Sequence, residues 1–464
     1  MAKSKSLFVC QQCGQQYPTW NGQCQSCGAW GSLVEEVIAA TSSGMDGSEV
    51  KIDTSGYVLT LPEVAREIGQ NRRISTGLGE LDRVLGLGMD GKTAGMVPGG
   101  VTLIGGEPGI GKSTLLTQLV LQQLYRSTKG AAPIVYICGE ENPKQVVDRV
   151  QRLSKSTKAG QLTPAQSGNL LLSSSTQVEV IAAIMTKEKP QLVIVDSIQT
   201  TVTEDLTGAA GSVGQIRESA LRLTEVAKRF GIPLFLVGHV TKEGELAGPK
   251  VLEHIVDTVL ELSGDKTGDL RLLRSVKNRF GATDEVGVFR LDEAGLVEVS
   301  NPSELLVEHD LNPLPGSAVA MVMEGTRPIG VEVQSLVVHS NLAMPRRVGQ
   351  GVETNRLQII TAILQKYSRI ALESKDIFVS LLGGYKTKDP GLDLAIAMAI
   401  ASSAAGVALP KRAVFYGEVG LLGEVRRASF ALRREKEAKR LGYEHIYSAK
   451  NLQSITKSIQ QLTK

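Results

Sequence analysis

The sequence predicts a multidomain α/β protein: a parallel-sheet core built around a phosphate-binding loop, with a small metal-held ribbon before it and another α/β segment after it. Three observations predict this. Apolar strand-like runs alternate with helical patterns between about residues 61 and 300, a glycine-rich loop joins one such strand to a leucine-rich helix, and two Cys-x2-Cys pairs crowd the first 27 residues. At 464 residues the chain exceeds what one core supports. Apolar residues make up 42% and charged residues 21%, ordinary globular usage. No apolar run reaches the ~18 residues that span a bilayer, and "MAKSKSLFVCQQCG" lacks a signal core, so a cytoplasmic protein with no membrane partner is expected. With 51 basic and 48 acidic residues the net charge is only +3, and any nucleic-acid partner must be met by local patches.

The ribbon, residues 1–34, rests on Cys10, Cys13, Cys24 and Cys27, each pair followed by a glycine, Gly14 or Gly28. Paired knuckles let four thiolates meet one tetrahedral zinc, and the glycines suit the tight turns that aim backbone amides at sulfur. Two disulfides are the alternative, disfavoured in a reducing compartment. Thirty residues bury too little to fold alone, so the metal supplies folding energy. Residues 35–60, including "AATSSGMDGSEVKIDTSG", are small and polar without periodicity and read as a linker. Cys138, in "PIVYIC", reads as a buried strand residue.

The central segment, residues 61–300, opens near "RRISTGLGELDRVLG", where Ile74, Leu78, Leu81 and Leu85 recur at helical spacing. Strand residues Val101 to Ile104 then run into Gly106, Glu107, Pro108, Gly109, Ile110, Gly111, Lys112, Ser113 and Thr114, and a helix follows at once. In that context the loop's amides wrap the β-phosphate of a nucleotide, Lys112 reaches the β- and γ-phosphates, and Ser113 can ligate Mg2+. "QLVIVDSIQT" is an apolar strand ending in Asp196, placed where a carboxylate would hold the magnesium through water. "PIVYICGEE" ends in Glu140 and Glu141, at the strand end where ligand chemistry gathers; Glu140 is the expected general base, with Glu141 or a role as a helix N-terminal acid as alternatives. His239, after "IPLFLVG", is either a γ-phosphate sensor or structural. Lys277 and Arg279, in "RSVKNRFG", read from their own residues as a solvated hairpin after the strand "DLRLLRSV".

The "CQQCGQQYPTWNGQCQSCGAWGSL" ribbon, the "GGEPGIGKST" loop, "KNRFG" and the C-terminal region together resemble the RadA (Sms) family of bacterial DNA-repair proteins over nearly the whole chain. The resemblance implies a core similar to RecA and DnaB, and a homo-hexameric ring that binds single-stranded DNA. It implies ATP-dependent branch migration of recombination intermediates, working with a recombinase. In ring ATPases of this kind the catalytic site lies between subunits, so Lys277 and Arg279 are expected to face a neighbour's ATP.

Residues 301–464 are similar to the proteolytic domain of Lon, which pairs a nucleophilic serine with a lysine. Here the serine position holds Gly391 and the lysine position falls at or next to Leu432, so proteolysis is not expected. Ser402 and Ser403 read as packing, and Lys436 lies a turn beyond Leu432. The run Arg426, Arg427, Arg433, Arg434, Lys436, Lys439 and Arg440, with Lys386 and Lys388, is either a DNA-binding surface or a solvated helix face. Aromatics are only 4%, so phosphate contacts should outweigh base stacking. Two other functions fit the same core: a replicative-type helicase or loader, and a nucleotide-gated scaffold or switch.

Overall fold

Three strands make the N-terminal ribbon: β1 (Lys5–Cys10), β2 (Gln16–Tyr17) and β3 (Leu33–Ile38), in the order β2-β1-β3. β3 pairs with β1 along its whole length, from Lys5↔Ile38 to Cys10↔Leu33, so the ribbon runs past the expected boundary at residue 34. The computed structural model describes residues 5–10, 12–38, 60, 73–88, 93–128, 130–156, 160–238, 249–264, 268–307 and 313–462. His239 and the residues 39–59 of the expected linker lie outside them.

Among the described residues, nine strands form the central sheet. They are β4 (Val101–Gly105), β5 (Ile134–Cys138), β6 (Leu170–Ser173), β7 (Leu192–Asp196), β8 (Leu234–Val237), β9 (Thr258–Gly264), β10 (Leu270–Asn278), β11 (Val286–Asp292) and β12 (Gly295–Glu298). Their order is β12-β11-β10-β9-β4-β8-β7-β5-β6, parallel from β9 to β6. Both faces of the parallel part are covered, which is why its strands read as unbroken apolar runs. Ile134, Tyr136 and Cys138 pack on one face with Leu115, Leu119 and Leu124 of α2 (Lys112–Arg126) and Val146 and Val150 of α3 (Pro143–Ser156). Val135 and Ile137 pack on the other with Ile181 of α4 (Val178–Glu188) and Leu223 and Ala227 of α5 (Val213–Phe230). The helical spacing seen from Ile74 gives a shorter helix, α1 (Gly79–Leu85), because Ile74 instead bridges Met96.

The C-terminal sheet contains β13 (Ser317–Glu324), β14 (Arg327–His339), β15 (Arg347–Gln350), β16 (Lys375–Leu381), β17 (Ala413–Tyr416) and, past the two-residue strands β18 (Glu418–Val419) and β19 (Val425–Arg426), β20 (His445–Ser448). The order is β15-β16-β14-β13-β17-β20. Its helices are α6 (Thr354–Ser368), α7 (Asp393–Ala405), α8 (Ala431–Arg440) and α9 (Ile455–Leu462). α7 is buried from Asp393 to Ser402, and alanines at positions 395, 397, 399 and 401 let it lie close against its neighbours. Ser402 Oγ accepts from Gly316 N (2.9 Å) and Ser403 Oγ from Val337 N (3.0 Å), so both hydroxyls serve backbone groups. The chain divides into two compact units: Met1–Gly264, Arg271–Thr283 and Phe289–Glu298 in one, Asp265–Leu270, Asp284–Val288 and Val299–Lys464 in the other. Among the described residues no helix is long and apolar enough to cross a membrane.

Candidate functional site

The loop between β4 and α2 wraps around the ammonium of Lys112, which donates to the carbonyls of Gly106 (2.8 Å) and Glu107 (3.0 Å). Only glycine fits at position 106: φ is +154°, and a Cβ there would lie 2.4 Å from the Leu262 carbonyl oxygen. Gly111 immediately precedes α2, so the free amides of the helix N-terminus open into the loop. Burial lowers the Lys112 pKa, against the attraction of Asp196 and Glu140, which places all three charges in one electrostatic neighbourhood.

β7 delivers Asp196 to this edge and β5 delivers Glu140, because the two strands pair in parallel with Cys138 opposite Asp196. Asp196 is buried and its pKa is raised by that burial, against hydrogen bonds from Ser113 and Tyr136. The Tyr136 hydroxyl donates to Asp196 Oδ2 at 2.7 Å. The sequence therefore brings Ser113 and Asp196 together, the pair expected to hold Mg2+. The two adjacent glutamates separate cleanly. Glu141 is taken by the Arg149 guanidinium, which bonds both carboxylate oxygens, whereas Glu140 is exposed and accepts from the Ser197 hydroxyl. Tyr136, Ser197 and Arg149 escaped sequence reasoning, and only for Arg149 was there a signal: it lies two helical turns beyond Glu141.

Lys277 and Arg279 lie at the other edge of the sheet. Asn278 pairs with Thr258 at the start of β9, and Thr258 pairs with Thr102 at the start of β4, so the motif sits by the amino ends of the strands whose carboxyl ends carry the phosphate loop. Period two turns Asn278 inward, where it is buried and donates to the Leu85 carbonyl at the end of α1 (3.1 Å). Lys277 and Arg279 share the opposite side. The Lys277 ammonium donates to the carbonyls of Glu253 and Val256, and desolvation, followed by the nearby Arg279 charge, lowers its pKa. Arg279 is half exposed and lies 3.4 Å from Asp257. The motif is thus a braced turn with an open arginine, more ordered than a solvated hairpin.

In the ribbon the four cysteine sulfurs lie within 4.8 Å of one another. Cys10 and Cys27 are 3.7 Å apart and Cys13 and Cys24 3.5 Å, close to the ~3.8 Å tetrahedral edge that ~2.3 Å Zn–S bonds impose and far from a disulfide. Gly14 and Gly28 both take positive φ, at +73° and +75°, as the two knuckles require. The Tyr17 hydroxyl, 3.3 Å from Cys24 Sγ, pulls that thiol down to about 6, while burial pushes Cys13 up to about 12. A divalent cation among them is what holds all four as thiolates.

The C-terminal unit changes one expectation. Leu432 is 73% exposed, and the side chain that meets Gly391 is Arg434. Arg434 is fully buried, bonded to Asp389 (2.7 and 3.0 Å) and to the carbonyls of Ser429 (2.9 Å) and Met321 (2.5 Å). It is therefore not part of a cationic surface. The run thins further, since Arg426 pairs with Glu424, Lys439 with Glu435 and Arg440 with Glu437. Lys388 pairs with Glu353 at 3.3 Å.

Comparisons with known proteins agree with this geometry. Residues 92–245 match the model of an AAA domain, residues 8–35 that of a rubredoxin metal binding domain, and residues 342–451 that of the ChlI subunit of Mg-chelatase. A DNA repair protein RadA from Pseudomonas aeruginosa is 45% identical over 443 residues, covering 96% of this chain and 92% of the relative. Proteins of the same name from Bacillus subtilis and Brucella abortus are each 43% identical, over 462 and 450 residues, covering 98% and 96% of this chain and 95% and 91% of the relatives.

Proposed function

The chain belongs to the RadA family of DNA repair proteins, a DNA-binding ATPase that takes ATP, Mg2+ and Zn2+, and from that premise we propose that it is a DNA-stimulated motor driving branch migration of recombination intermediates. The observation that carries this reading is the division of the charges. Lys112, Ser113, Asp196 and Glu140 gather at the carboxyl edge of the sheet, while Lys277 and Arg279 stand at the amino edge. One subunit so built holds nucleotide with Lys112, while its Lys277 and Arg279, the second pair of cations in this reading, stand at the far edge from its own γ-phosphate. A neighbour in a ring, most simply a hexamer, supplies that pair, and hydrolysis is thereby tied to subunit movement.

Within the site, Lys112 and the loop amides from Gly106 to Thr114 hold the phosphates. Ser113 and Asp196 would hold the magnesium, whose charge neutralises the β- and γ-phosphate oxygens. Glu140 orients and polarises the attacking water; Glu141 is unsuited because Arg149 occupies both its oxygens. Cys10, Cys13, Cys24 and Cys27 hold the zinc, and the ribbon they fold precedes an ATPase domain that ends near residue 300. His239 remains a proposed sensor of the γ-phosphate. The C-terminal domain serves ring assembly and DNA contact rather than proteolysis.

The test measures ATP turnover and strand movement together on three-stranded junctions, with and without single-stranded DNA and the recombinase. Stimulated turnover with junction movement is expected. Turnover that ignores DNA favours a switch, and duplex unwinding without junction movement favours a fork helicase.

A further inference from the structure

The cations between Arg426 and Arg440 sort by partner. With Arg434 buried and Arg426, Lys439 and Arg440 each on a glutamate, Arg433 stacks 5.4 Å over the Phe430 ring, and Lys436 is exposed, makes no hydrogen bond or ion pair among the described residues and does not line the crevice below. Arg427 is exposed, and among the described residues its side chain makes no hydrogen bond or ion pair. The same holds for Lys450, which follows β20 and lay outside the run that the sequence singled out. These two cations stand on the rim of one crevice of about 370 Å³.

The crevice has a definite construction. β17 and β20 run parallel and end side by side, Tyr416 opposite Ser448, and both residues line it. Ligands of α/β sheets enter at the carboxyl ends of parallel strands. Ala428, Ala431, Leu432 and Ala449 supply an apolar wall. Glu435 is the carboxylate lining it; Lys439 at 2.8 Å answers its charge first, and Lys450 on the rim also attracts it without forming an ion pair. An apolar crevice of this size with Arg427 and Lys450 on its rim fits a ligand with an apolar planar base and an attached phosphate. Its volume is at the small end of the ~300–1,000 Å³ usual for ligand pockets, one nucleotide rather than several.

We propose that this crevice seats one nucleotide of a single DNA strand, its base against the Ala428, Ala431 and Ala449 wall and its phosphate between Arg427 and Lys450. The assignment rests on the DNA-binding reading above and gives it a specific contact in the C-terminal unit. It also explains how a chain with few aromatics can hold a base: a wall of alanines beside Tyr416 takes the place of stacked rings.

The test uses the full-length protein and anisotropy of labelled oligothymidine across a salt series. Arg427→Ala and Lys450→Ala should each weaken binding several-fold and lower the slope of log K against log salt by about 0.7, one phosphate contact on a single strand. The wild type should prefer an intact strand to one with abasic sites, and Ala449→Phe, which fills the slot, should erase that preference. Unchanged thermal melts establish that the variants are folded. Wild-type binding with unaltered variants overturns this site and leaves DNA binding standing, whereas no binding by the wild type overturns both. Free thymidine monophosphate held in a Lys450-dependent way, with strand affinity unchanged in Lys450→Ala, overturns the strand assignment in favour of a mononucleotide site.

Discussion

Arg279→Ala and Lys277→Ala test the division of charges directly. The five residues of β4 separate the motif's edge from the phosphate loop, about 17 Å at ~3.3 Å per residue. A unit charge at that distance contributes about 1 kcal/mol at an effective dielectric of ~20 and about 0.2 kcal/mol in water, a fivefold effect on turnover at most. A cation seated against a neighbour's γ-phosphate is worth ~10³–10⁵ in turnover, about 4–7 kcal/mol. The two placements therefore differ by orders of magnitude. We expect each variant to bind nucleotide normally and to lose about a thousandfold or more in turnover. Arg279 is the cleaner probe, because Lys277 also ties down the Glu253 and Val256 carbonyls. Mixing Arg279→Ala subunits with Glu140→Gln subunits then makes rings in which about a quarter of interfaces join an intact Glu140 to an intact Arg279. Activity should return in that mixture although each protein alone is inactive. A loss of only a few-fold, or no recovery at any ratio in verified mixed rings, would refute the reasoning.

Lys112→Ala removes the ammonium that the Gly106 and Glu107 carbonyls hold, and nucleotide affinity measured by calorimetry should fall by about 2–5 kcal/mol, thirtyfold or more. Cys24→Ser should release zinc, read by metal analysis, and unfold the ribbon while the ATPase melt is kept; full zinc retention would overturn the tetrathiolate assignment. Arg434→Met leaves Asp389 buried without its cation and should destabilise the C-terminal unit by about 3–5 kcal/mol, read as a lowered melting temperature. The pair Asp389→Asn with Arg434→Met, which removes both charges and keeps an acceptor for one of the two amides, Met323 or Gly391, that the carboxylate serves, should lose less than that single change.

Chemistry written in contiguous spacing was legible before any coordinates. The cysteine pairs, the loop from Gly106 to Thr114 and the strand ending in Asp196 each carry their geometry within a few residues. Chemistry that depends on which strand lies beside which was not. Nothing in "KNRFG" says that its strand reaches the amino edge of β4 and β9; that follows from strand order. The choice between Glu140 and Glu141 was equally hidden, since it turns on Arg149 returning from α3.

Arg434 is the opposite case, where a signal existed and charge obscured it. Ala431, Arg434, Ala438 and Leu441 recur at helical spacing, the stripe that a surface helix turns inward, and Arg434 sits in the middle of it. Its counterion, Asp389, is 45 residues away, and no local pattern reveals the pair. The pair also gives the glycine its meaning. A Cβ at position 391 would lie 2.6 Å from Arg434 Nη1, so a serine there must push the hydrogen-bonded guanidinium out of its place. Glycine at 391 and arginine at 434 are therefore one structural choice: the space beside the expected nucleophile is filled by a buried ion pair. That pair ties β13, the turn before α7 and the start of α8 together, the same helix start that forms one wall of the crevice beside Arg427.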